Sequence, residues 1–556
     1  MDLLKLREFY KKTYRNNKFS FFHQGHEYTT TVINVNFEYS NKLYNHVRKD
    51  TYVKFGYDIS DIKFIDHICV INNEVIAIET NQEVKKTSSE DILGKYFYYD
   101  AEKKVYKAKG NIKTLNTISE LRKSLYDNGF YCNGTKYVRF KRSNGSSRIG
   151  KCLFVDERLY SRMHKWEMCG IKIREGDEID LAALEAYIAL TISSIIDTIE
   201  IDPKSILVID DWESTFTDEV IESKLDDTHI VSRPNIVTLK NSIWDGQSLL
   251  DSSMFKKYKR GMLLLRNSFF KSCCFNTNIQ KWFKDNNVTE ISQLNGFTLA
   301  EKVEDIKLIT TPSSIKYLKF GTLQQWLKNV SPVFGIVKYE KPTHNFDGHM
   351  VKTHYQLLNT LQLSMGDMEK FLQPSLEYLD LLKSDPAVLR YHIGFQHNLS
   401  TKASTPLLSK NDIVYKLLGI NDRFAETKLY YDFKTDIVKS YIKNLRFGHV
   451  LVHGNYSTLF GNPVEMLLHS IGMFDGVSQL GIGNIHSSFF EYDQQLLGSR
   501  SPHVTMGNVW LSTNVKNQNI DTYFNLTKEI VCVNSIGESL LDRLSGSDQK
   551  RGRLVQ

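Results

Sequence analysis

The sequence predicts an α+β protein built from several domains. At 556 residues the chain is too long for a single hydrophobic core. Hydrophobic residues make up 41% of the composition and aromatic residues 12%, which is enough to fill several cores. Strand-like segments dominate before residue 356, helical periodicity runs from 356 to 438, and short strands return after residue 445. This order predicts two β-rich regions separated by a helical one.

Individual elements follow from local patterns. Asp180 is a typical N-cap, and apolar residues at helical spacing predict a helix over 180–197. Helical periodicity also covers 114–128. Runs of β-branched and apolar residues predict strands at 137–140, 205–209, 231–242, 261–265, 306–310, 450–452, 509–511 and 530–533.

The sequence favours a cytoplasmic protein without a membrane span. Glu185 and Asp197 interrupt the most apolar window, 181–201, which therefore reads as a buried helix. The N-terminus becomes charged too early for a secretory signal. Seven cysteines, without a Cys-x-x-Cys pair, indicate neither a disulfide framework nor a zinc site.

The net charge of +7 permits nucleic-acid binding but does not demand it. Basic residues cluster at 139–151, 256–260 and 550–553. For each cluster taken alone, a solvated surface is the favoured explanation.

The most specific motif lies near the C-terminus. Arg500-Ser501-Pro502 precedes a strand at 509–511, and the segment 530–548 follows with a second strand and the sequence Ser-Gly-Ser-Asp at its end. This pattern resembles the second double-psi β-barrel of the two-barrel RNA polymerase superfamily, in its silencing-type RNA-dependent and prophage single-chain branches. The resemblance implies that Arg500 contacts the incoming nucleotide or the primer end, and that Asp548 is the first of the catalytic, magnesium-binding aspartates. Carboxylates one residue apart in a tight loop suit magnesium, which prefers oxygen ligands.

The chain departs from the family pattern directly after Asp548. The family's loop continues with two more aspartates, whereas here the basic segment 549–556 follows. The resemblance therefore implies a polymerase truncated at its catalytic loop, with a weak or incomplete magnesium site. The basic segment is not expected to continue the barrel.

A second group of motifs resembles the first barrel of the same family. An Asp-Gly segment at 243–252 precedes an Arg-containing strand at 261–272 and a Ser-x-x-Lys-Phe element at 312–320. In that family, lysines of this barrel neutralise nucleotide phosphates. The resemblance implies catalytic roles for Lys271 and Lys319, and nucleotide or nucleic-acid contacts for Arg266, Lys316 and Asp245. Ser272 stands where the family has glycine.

A third, basic segment at 137–151 resembles a strand and loop upstream of the first barrel. Its cationic residues would line a template channel, because positive charge follows a phosphate backbone. The candidates are Arg139, Arg148 and Lys151. A solvated hairpin explains the same residues.

The resemblance implies a domain order for the whole chain. The expected regions are an N-terminal mixed α/β region at 1–130, a basic strand-helix-strand region at 131–235, a lysine-bearing first double-psi barrel at 236–345, a helical connector at 346–445, and an incomplete second double-psi barrel at 446–556. The expected partners are a nucleic-acid template and NTPs.

Several functional hypotheses stay open at this point. The first is magnesium-dependent, templated RNA synthesis, with either DNA or RNA as template. The alternatives are a catalytically inactive nucleic-acid-binding remnant, a split subunit of a phage or mobile element completed by a second polypeptide, and an unrelated fold. Asp210 and Asp211 follow a strand and could bind a metal, but a turn or helix cap explains them as well.

Overall fold

The structure is a computed structural model. It describes residues 19–23, 26–30, 58–59, 68–71, 74–78, 97–100, 105–108, 114–115, 126–132, 135–141, 152–193, 195–343, 346, 348–361, 363–397, 410–502, 506–544 and 552–555.

The strands β1 to β14 are Phe19–His23, His26–Thr30, Asp58–Ile59, Ile68–Ile71, Glu74–Ile78, Phe97–Asp100, Val105–Ala108, Thr114–Leu115, Phe130–Cys132, Thr135–Lys141, Cys152–Asp156, Asp197–Glu200, Ile206–Val208 and Glu213–Asp226. The strands β15 to β28 are His229–Ser242, Gln247–Asp251, Met262–Asn267, Phe270–Thr277, Phe297–Thr298, Leu308–Thr310, Val333–Tyr339, Met350–Lys352, Leu451–Gly461, Asn484–His486, Gln495–Ser499, Val509–Asn514, Ile530–Val533 and Gly552–Val555. The helices α1 to α12 are Glu157–Glu167, Leu181–Ile188, Ile279–Asp285, Leu323–Asn329, Tyr355–Thr360, Met365–Ser384, Pro386–His397, Lys410–Ile420, Lys428–Arg446, Pro463–Ser470, Gln518–Tyr523 and Leu540–Arg543.

The chain forms two compact units, and each takes segments from separate parts of the sequence. The first consists of Met1–Glu200, Arg266–Phe270 and Lys316–Val337. The second consists of Ile201–Leu265, Lys271–Ile315 and Lys338–Gln556.

The first unit contains a six-stranded sheet in the order β2-β1-β9-β10-β11-β3. Phe140 on β10 and Met163 on α1 are buried together with Ala189 and Ile192. Near the end of the first segment, β12 pairs antiparallel with β21, so that Ile199 lies opposite Phe334.

The second unit contains two curled sheets. In the first, β18-β16-β20-β13-β19 are neighbours, with β16 parallel to β18 and β13 parallel to β20. The second runs β22-β23-β27-β24-β26-β25-β28, and β28 pairs with β23 as well as with β25. The second sheet therefore curls round on itself. Its core comprises Leu459, Ile485, Phe490, Leu496, Trp510, Val531, Val533, Leu540 and Leu544.

Two buried side chains connect these sheets through backbone groups. The Gln247 amide donates to the Gly461 carbonyl oxygen at 2.8 Å and accepts from the Gly461 N–H at 2.9 Å. Trp244 Nε1 donates to the Asn462 carbonyl oxygen at 3.1 Å. Phe275 and Phe460 stack beside them, with ring centroids 3.8 Å apart. Both sheets are thus held by polar pairing as well as by apolar packing.

The described part of the chain between residues 355 and 446 is helical, in agreement with the periodicity of the sequence. The apolar faces of α6 to α9 share a core that includes Leu382, Leu389, Val414 and Phe433. Among the described helices, none is both long and apolar enough to cross a membrane.

Two local predictions were wrong, and a third was wrong in part. The helix expected over 180–197 ends as α2 at Ile188 and continues as a 3-10 turn to Ile192, and Asp197 belongs to β12. Of the helical segment expected over 114–128, residues 114–115 form the strand β8, residues 126–128 are helical, and 116–125 lie outside the described residues. The basic tail does continue the sheet, because Gly552–Val555 form β28.

The α+β class is confirmed in its coarser form, a mixed α/β fold with two curled half-barrel sheets. The double-psi topology, the connector role of the helices and the five domain ranges stay predictions.

Candidate nucleotide-binding site

A cavity of about 120 Å³ lies in the second unit where strands of both sheets meet. Its walls come from five separate segments of the sequence. The lining residues are Met262, Leu264, Cys273, Lys338, Tyr339, Thr458 and Arg500. The lining thus combines two residues that carry a cationic group and two that carry a hydroxyl with three apolar ones, a composition that suits a phosphorylated ligand.

Arg500 follows β25 and is half-buried. Its Nη1 donates to the carbonyl oxygen of Leu544 at 2.9 Å. Nearby, the Asn508 amide donates to the Arg543 carbonyl oxygen at 2.9 Å. Leu544 is the last described residue before the segment that contains Asp548. Arg500 therefore lines the cavity and also contacts Leu544, the residue directly before the segment that contains Asp548.

Lys338 and Tyr339 end the strand β21, and sequence reasoning missed both. Lys338 is exposed at the cavity, whereas Tyr339 is half-buried. The Arg260 guanidinium lies 5.7 Å from the Tyr339 ring centroid, and Tyr258 packs against the same ring at 5.6 Å. In the sequence, Lys338 and Tyr339 stand at the end of an apolar strand. Polar and aromatic residues at such positions often belong to functional sites, and this was the one indication that the sequence offered.

Glu340 fixes the strand that supplies apolar residues to the cavity lining. Its carboxylate accepts from the N–H groups of Gly261 at 2.6 Å and Met262 at 3.0 Å, and from Thr527 Oγ1 at 3.2 Å. Burial raises the pKa of Glu340, although these hydrogen bonds oppose the increase. The start of β17 is thereby anchored beside the cavity.

Lys271 lies on β18, two residues before Cys273. Side chains two residues apart in a strand point to the same face, so Lys271 lies on the face of β18 that lines the cavity. Lys271 is half-buried. The structure thus brings Lys271 and Arg500 into one region of the second unit.

The other predicted residues lie elsewhere or outside the described residues. Asp245 occupies the turn before β16, next to Gly246, whose φ is +70°. Lys316 and Lys319 lie on a 3-10 turn of the first unit, where Lys319 Nζ is 5.5 Å from the Tyr187 ring centroid. Arg266, at the end of β17, is buried with 7% of its surface exposed.

Arg139, on β10, makes an ion pair with Glu185 and lies over the Tyr126 ring at 4.9 Å. This contact explains its position without a template. Arg148, Lys151 and Asp548 lie outside the described residues.

The structure does not locate a metal site. Within the described ranges, no group of three His, Cys, Asp or Glu side chains lies close enough to hold a cation. Asp211 accepts a hydrogen bond from the Ser313 N–H at 2.8 Å, which fits the turn-capping interpretation of Asp210-Asp211. Whether Asp548 binds magnesium stays a prediction.

A buried polar network supports the segment next to Arg500. The Asn462 amide donates to Glu465 Oε1 at 3.2 Å and to Asn534 Oδ1 at 2.9 Å, and the Asn534 amide donates to Glu538 Oε1 at 2.7 Å. Glu538 precedes α12, which ends next to Leu544. The network thus connects α10 to the segment that Arg500 holds.

Glu465→Gln is expected to stabilise the protein at neutral and alkaline pH. Glu465 is fully buried, and its Oε2 has no hydrogen-bond partner among the described residues. Burial raises the pKa of Glu465. A raised pKa means that the folded state binds the proton more tightly than the unfolded state. The free energy of unfolding therefore falls as the pH rises from the pKa of Glu465 in the unfolded state to its pKa in the folded state. We therefore expect Glu465→Gln to be more stable than the wild type at pH 8, where the wild-type protein must either bury the charged carboxylate or keep a proton on it.

Urea unfolding between pH 4 and pH 8 measures this effect. The variant should show a flatter pH dependence than the wild type and match it in acid. Glu301→Gln changes an exposed carboxylate and serves as the control. Equal pH slopes for wild type and Glu465→Gln would contradict the assignment.

Comparisons with known proteins concern the sequence and the fold of the chain. No protein-family model matches the chain. Over 422 residues, covering 73% of this chain and 47% of the relative, the sequence is 22% identical to the DNA-directed RNA polymerase YonO of Bacillus phage SPbeta. The fold matches the RNA-dependent RNA polymerase QDE-1 of Thielavia terrestris with a TM-score of 0.50 and 15% identity, covering 76% of this chain and 44% of that one.

The resemblance to the two-barrel RNA polymerase superfamily is thus confirmed. The chain spans about half the length of the curated polymerase it matches. Both polymerases are named for templated RNA synthesis, one on DNA and one on RNA.

Proposed function

We propose that this chain binds the phosphates of a nucleoside triphosphate at the cavity of its second unit and takes part in nucleic-acid-templated RNA synthesis. The observation that carries the proposal is the convergence of Arg500 and Lys338 on one small cavity. A guanidinium and an ammonium group facing the same space recognise phosphate oxygens through charge-assisted hydrogen bonds.

In the proposed reaction, the 3′ oxygen of the growing strand forms a bond to the α-phosphorus of the triphosphate. The bond between the α-phosphorus and the oxygen bridging to the β-phosphorus breaks, and pyrophosphate leaves. Arg500, Lys338 and Lys271 would neutralise negative charge on the phosphates, which is the main protein contribution in phosphoryl transfer. Magnesium binding by Asp548 is part of the proposal, and so are a cytoplasmic location and the double-psi form of both sheets.

The template strand would approach along the loop before β17. Lys256, Lys257 and Lys259 are exposed there, and Arg260 stacks on Tyr339 at the cavity. Cations next to an aromatic platform suit a single strand, since the cations follow its phosphates and the rings stack on its bases.

A templated incorporation assay tests the proposal. The purified chain is incubated with labelled NTPs, magnesium and a single-stranded RNA or DNA template. We expect template-dependent product, and its amount should fall at least about tenfold in Arg500→Gln and in Lys271→Gln. Each substitution removes a positive charge that would neutralise the phosphates. Lys302→Gln, at an exposed position outside the cavity, is the matched control.

The outcomes separate the rival functions. Product that is insensitive to both Arg500→Gln and Lys271→Gln would refute the site. Template and NTP binding without product would favour the alternative proposal, a nucleic-acid-binding remnant or a split subunit that needs a second polypeptide.

A further inference from the structure

A long β-ribbon extends from the second unit between Trp212 and Ile243. Its strands β14 and β15 pair with each other over their full length, from Glu213 opposite Ser242 to Asp226 opposite His229. At about 3.4 Å per residue, fourteen residues span about 48 Å. In the described part of the chain, neither strand pairs with any other. Both outer edges of the ribbon therefore present backbone N–H and C=O groups that lack a strand partner.

The two edges differ in their ability to accept another strand. Pro234, in the middle of β15, has no N–H. Proline is tolerated in a strand where its nitrogen faces away from the ladder, which puts the missing donor on the outer edge of β15. No proline occurs in β14, which has β-branched or aromatic residues at Thr215, Phe216, Thr217, Val220 and Ile221. The edge of β14 is thus the one suited to strand addition.

The charge of β14 selects the kind of strand that can pair with it. Its acidic residues are Glu213, Asp218, Glu219, Glu222 and Asp226, and its only basic residue is Lys224. Five negative charges and one positive charge give a net −4. A second copy of β14 would bring −4 against −4, and a nucleic acid would also be repelled. Charge complementarity therefore favours a cationic strand.

Both faces of the ribbon mix charged and apolar side chains. Asp218, Glu222 and Asp226 lie on one face, interspersed with Phe216, Val220 and Lys224. Ile221 and Leu225 lie on the other face, together with Glu219 and with Ile230 and Ile236 on β15, and these four aliphatic side chains are 67%, 73%, 76% and 72% exposed in that order. An added strand would therefore meet carboxylates and apolar groups on both faces. A matching sequence combines Lys or Arg with Val, Ile or Thr.

We propose that the edge of β14 is a docking site for an extended, basic segment of a protein partner, which adds a third strand to the ribbon. Main-chain hydrogen bonds give affinity in this mode of recognition, and alternate side chains give specificity. The proposal does not depend on RNA synthesis by the chain.

Peptide binding to the full chain tests the proposal. The probe is a short fluorescent peptide in which lysine alternates with valine and threonine. Its binding is measured by fluorescence anisotropy at about 0.15 M salt, where interactions between distant charges are screened. We expect saturable binding. A matched peptide with N-methyl groups on every second amide, along the pairing edge, should bind at least about tenfold more weakly, because it cannot complete the ladder.

Charge reversal in the protein gives a second, independent arm. Asp218→Lys combined with Glu222→Lys should lower the affinity for the lysine peptide at least about tenfold. The same variant should bind a peptide in which glutamate replaces lysine. Glu301→Lys combined with Glu304→Lys makes the same change in net charge at exposed positions outside the ribbon, and should leave both affinities unchanged.

Three results would overturn the proposal. The first is absence of binding by the lysine peptide, and the second is equal binding of the N-methylated peptide to the wild type. The third is a concentration-dependent dimer, measured by sedimentation, that Asp218→Lys with Glu222→Lys dissociates, because the occupant of the edge would then be a second copy.

Discussion

Arg500→Gln and Lys338→Gln should each weaken the binding of a nucleoside triphosphate by about 10- to 100-fold. Each substitution removes a charge-assisted contact at the cavity, and a hydrogen bond to a charged group contributes about 1.5–3 kcal/mol. Isothermal titration of the full chain with a non-hydrolysable triphosphate, the matching diphosphate and the free nucleoside measures the effect. The loss should be largest for the triphosphate and small for the nucleoside, since the nucleoside has no phosphate.

Arg500 also donates to the Leu544 carbonyl oxygen, so a structural role must be separated from ligand binding. Arg500→Lys retains the charge but loses the planar fork, and should recover only part of the affinity. Lys302→Gln should bind like the wild type. A uniform loss across triphosphate, diphosphate and nucleoside would refute phosphate recognition by these residues.

Gln247→Leu should lower the free energy of unfolding by about 2–6 kcal/mol, because two buried polar groups are each left unpaired at a cost of about 1–3 kcal/mol. The Gln247 amide satisfies both the N–H and the carbonyl of Gly461, and the side chain is fully buried. Leucine has a similar volume, so the loss of hydrogen bonds and not a cavity determines the result. Chemical denaturation followed by tryptophan fluorescence gives the measurement.

Gln495→Leu, at an exposed position of β25, is the matched control and should change stability by less than about 0.5 kcal/mol. A Gln247→Leu variant as stable as this control would mean that water or a backbone shift satisfies Gly461. The sheets would then not depend on the side-chain bridge.

Local patterns in the sequence predicted the strands well where the strands are apolar. The runs at 205–209, 261–265 and 530–533 correspond to β13, β17 and β27, all largely buried. The predictions from local patterns were wrong or missing where long-range strand pairing or a high content of charged residues made the local pattern uninformative. The helix predicted over 180–197 ends early because Asp197–Glu200 pair with β21, more than a hundred residues later in the sequence. The strand β14 was not predicted because its many carboxylates hide the alternation of its β-branched residues.

The candidate site was only partly predictable for a related reason. The motif around Arg500 pointed to a nucleotide contact, and the structure places Arg500 at the cavity. Lys338, Tyr339 and Thr458 belong to no motif and meet Arg500 only through the curling of the sheets. The spacing of these residues in the sequence does not indicate that they lie close together in the fold, because the cavity walls come from five separate segments. The role of Asp548 stays a prediction, since it lies outside the described residues.

The interleaving of the two units has a consequence for how the chain can acquire its structure. The first unit is completed only by Arg266–Phe270 and Lys316–Val337, and the second of these segments follows the whole of β13, β16, β18, β19 and β20 in the sequence. A ribosome that has released residues 1–200 has not yet supplied the strand that pairs with β12. The two units therefore cannot mature one after the other, and contacts of such long sequence separation make for slow folding. Excising either unit as a continuous fragment would leave it without part of its own core.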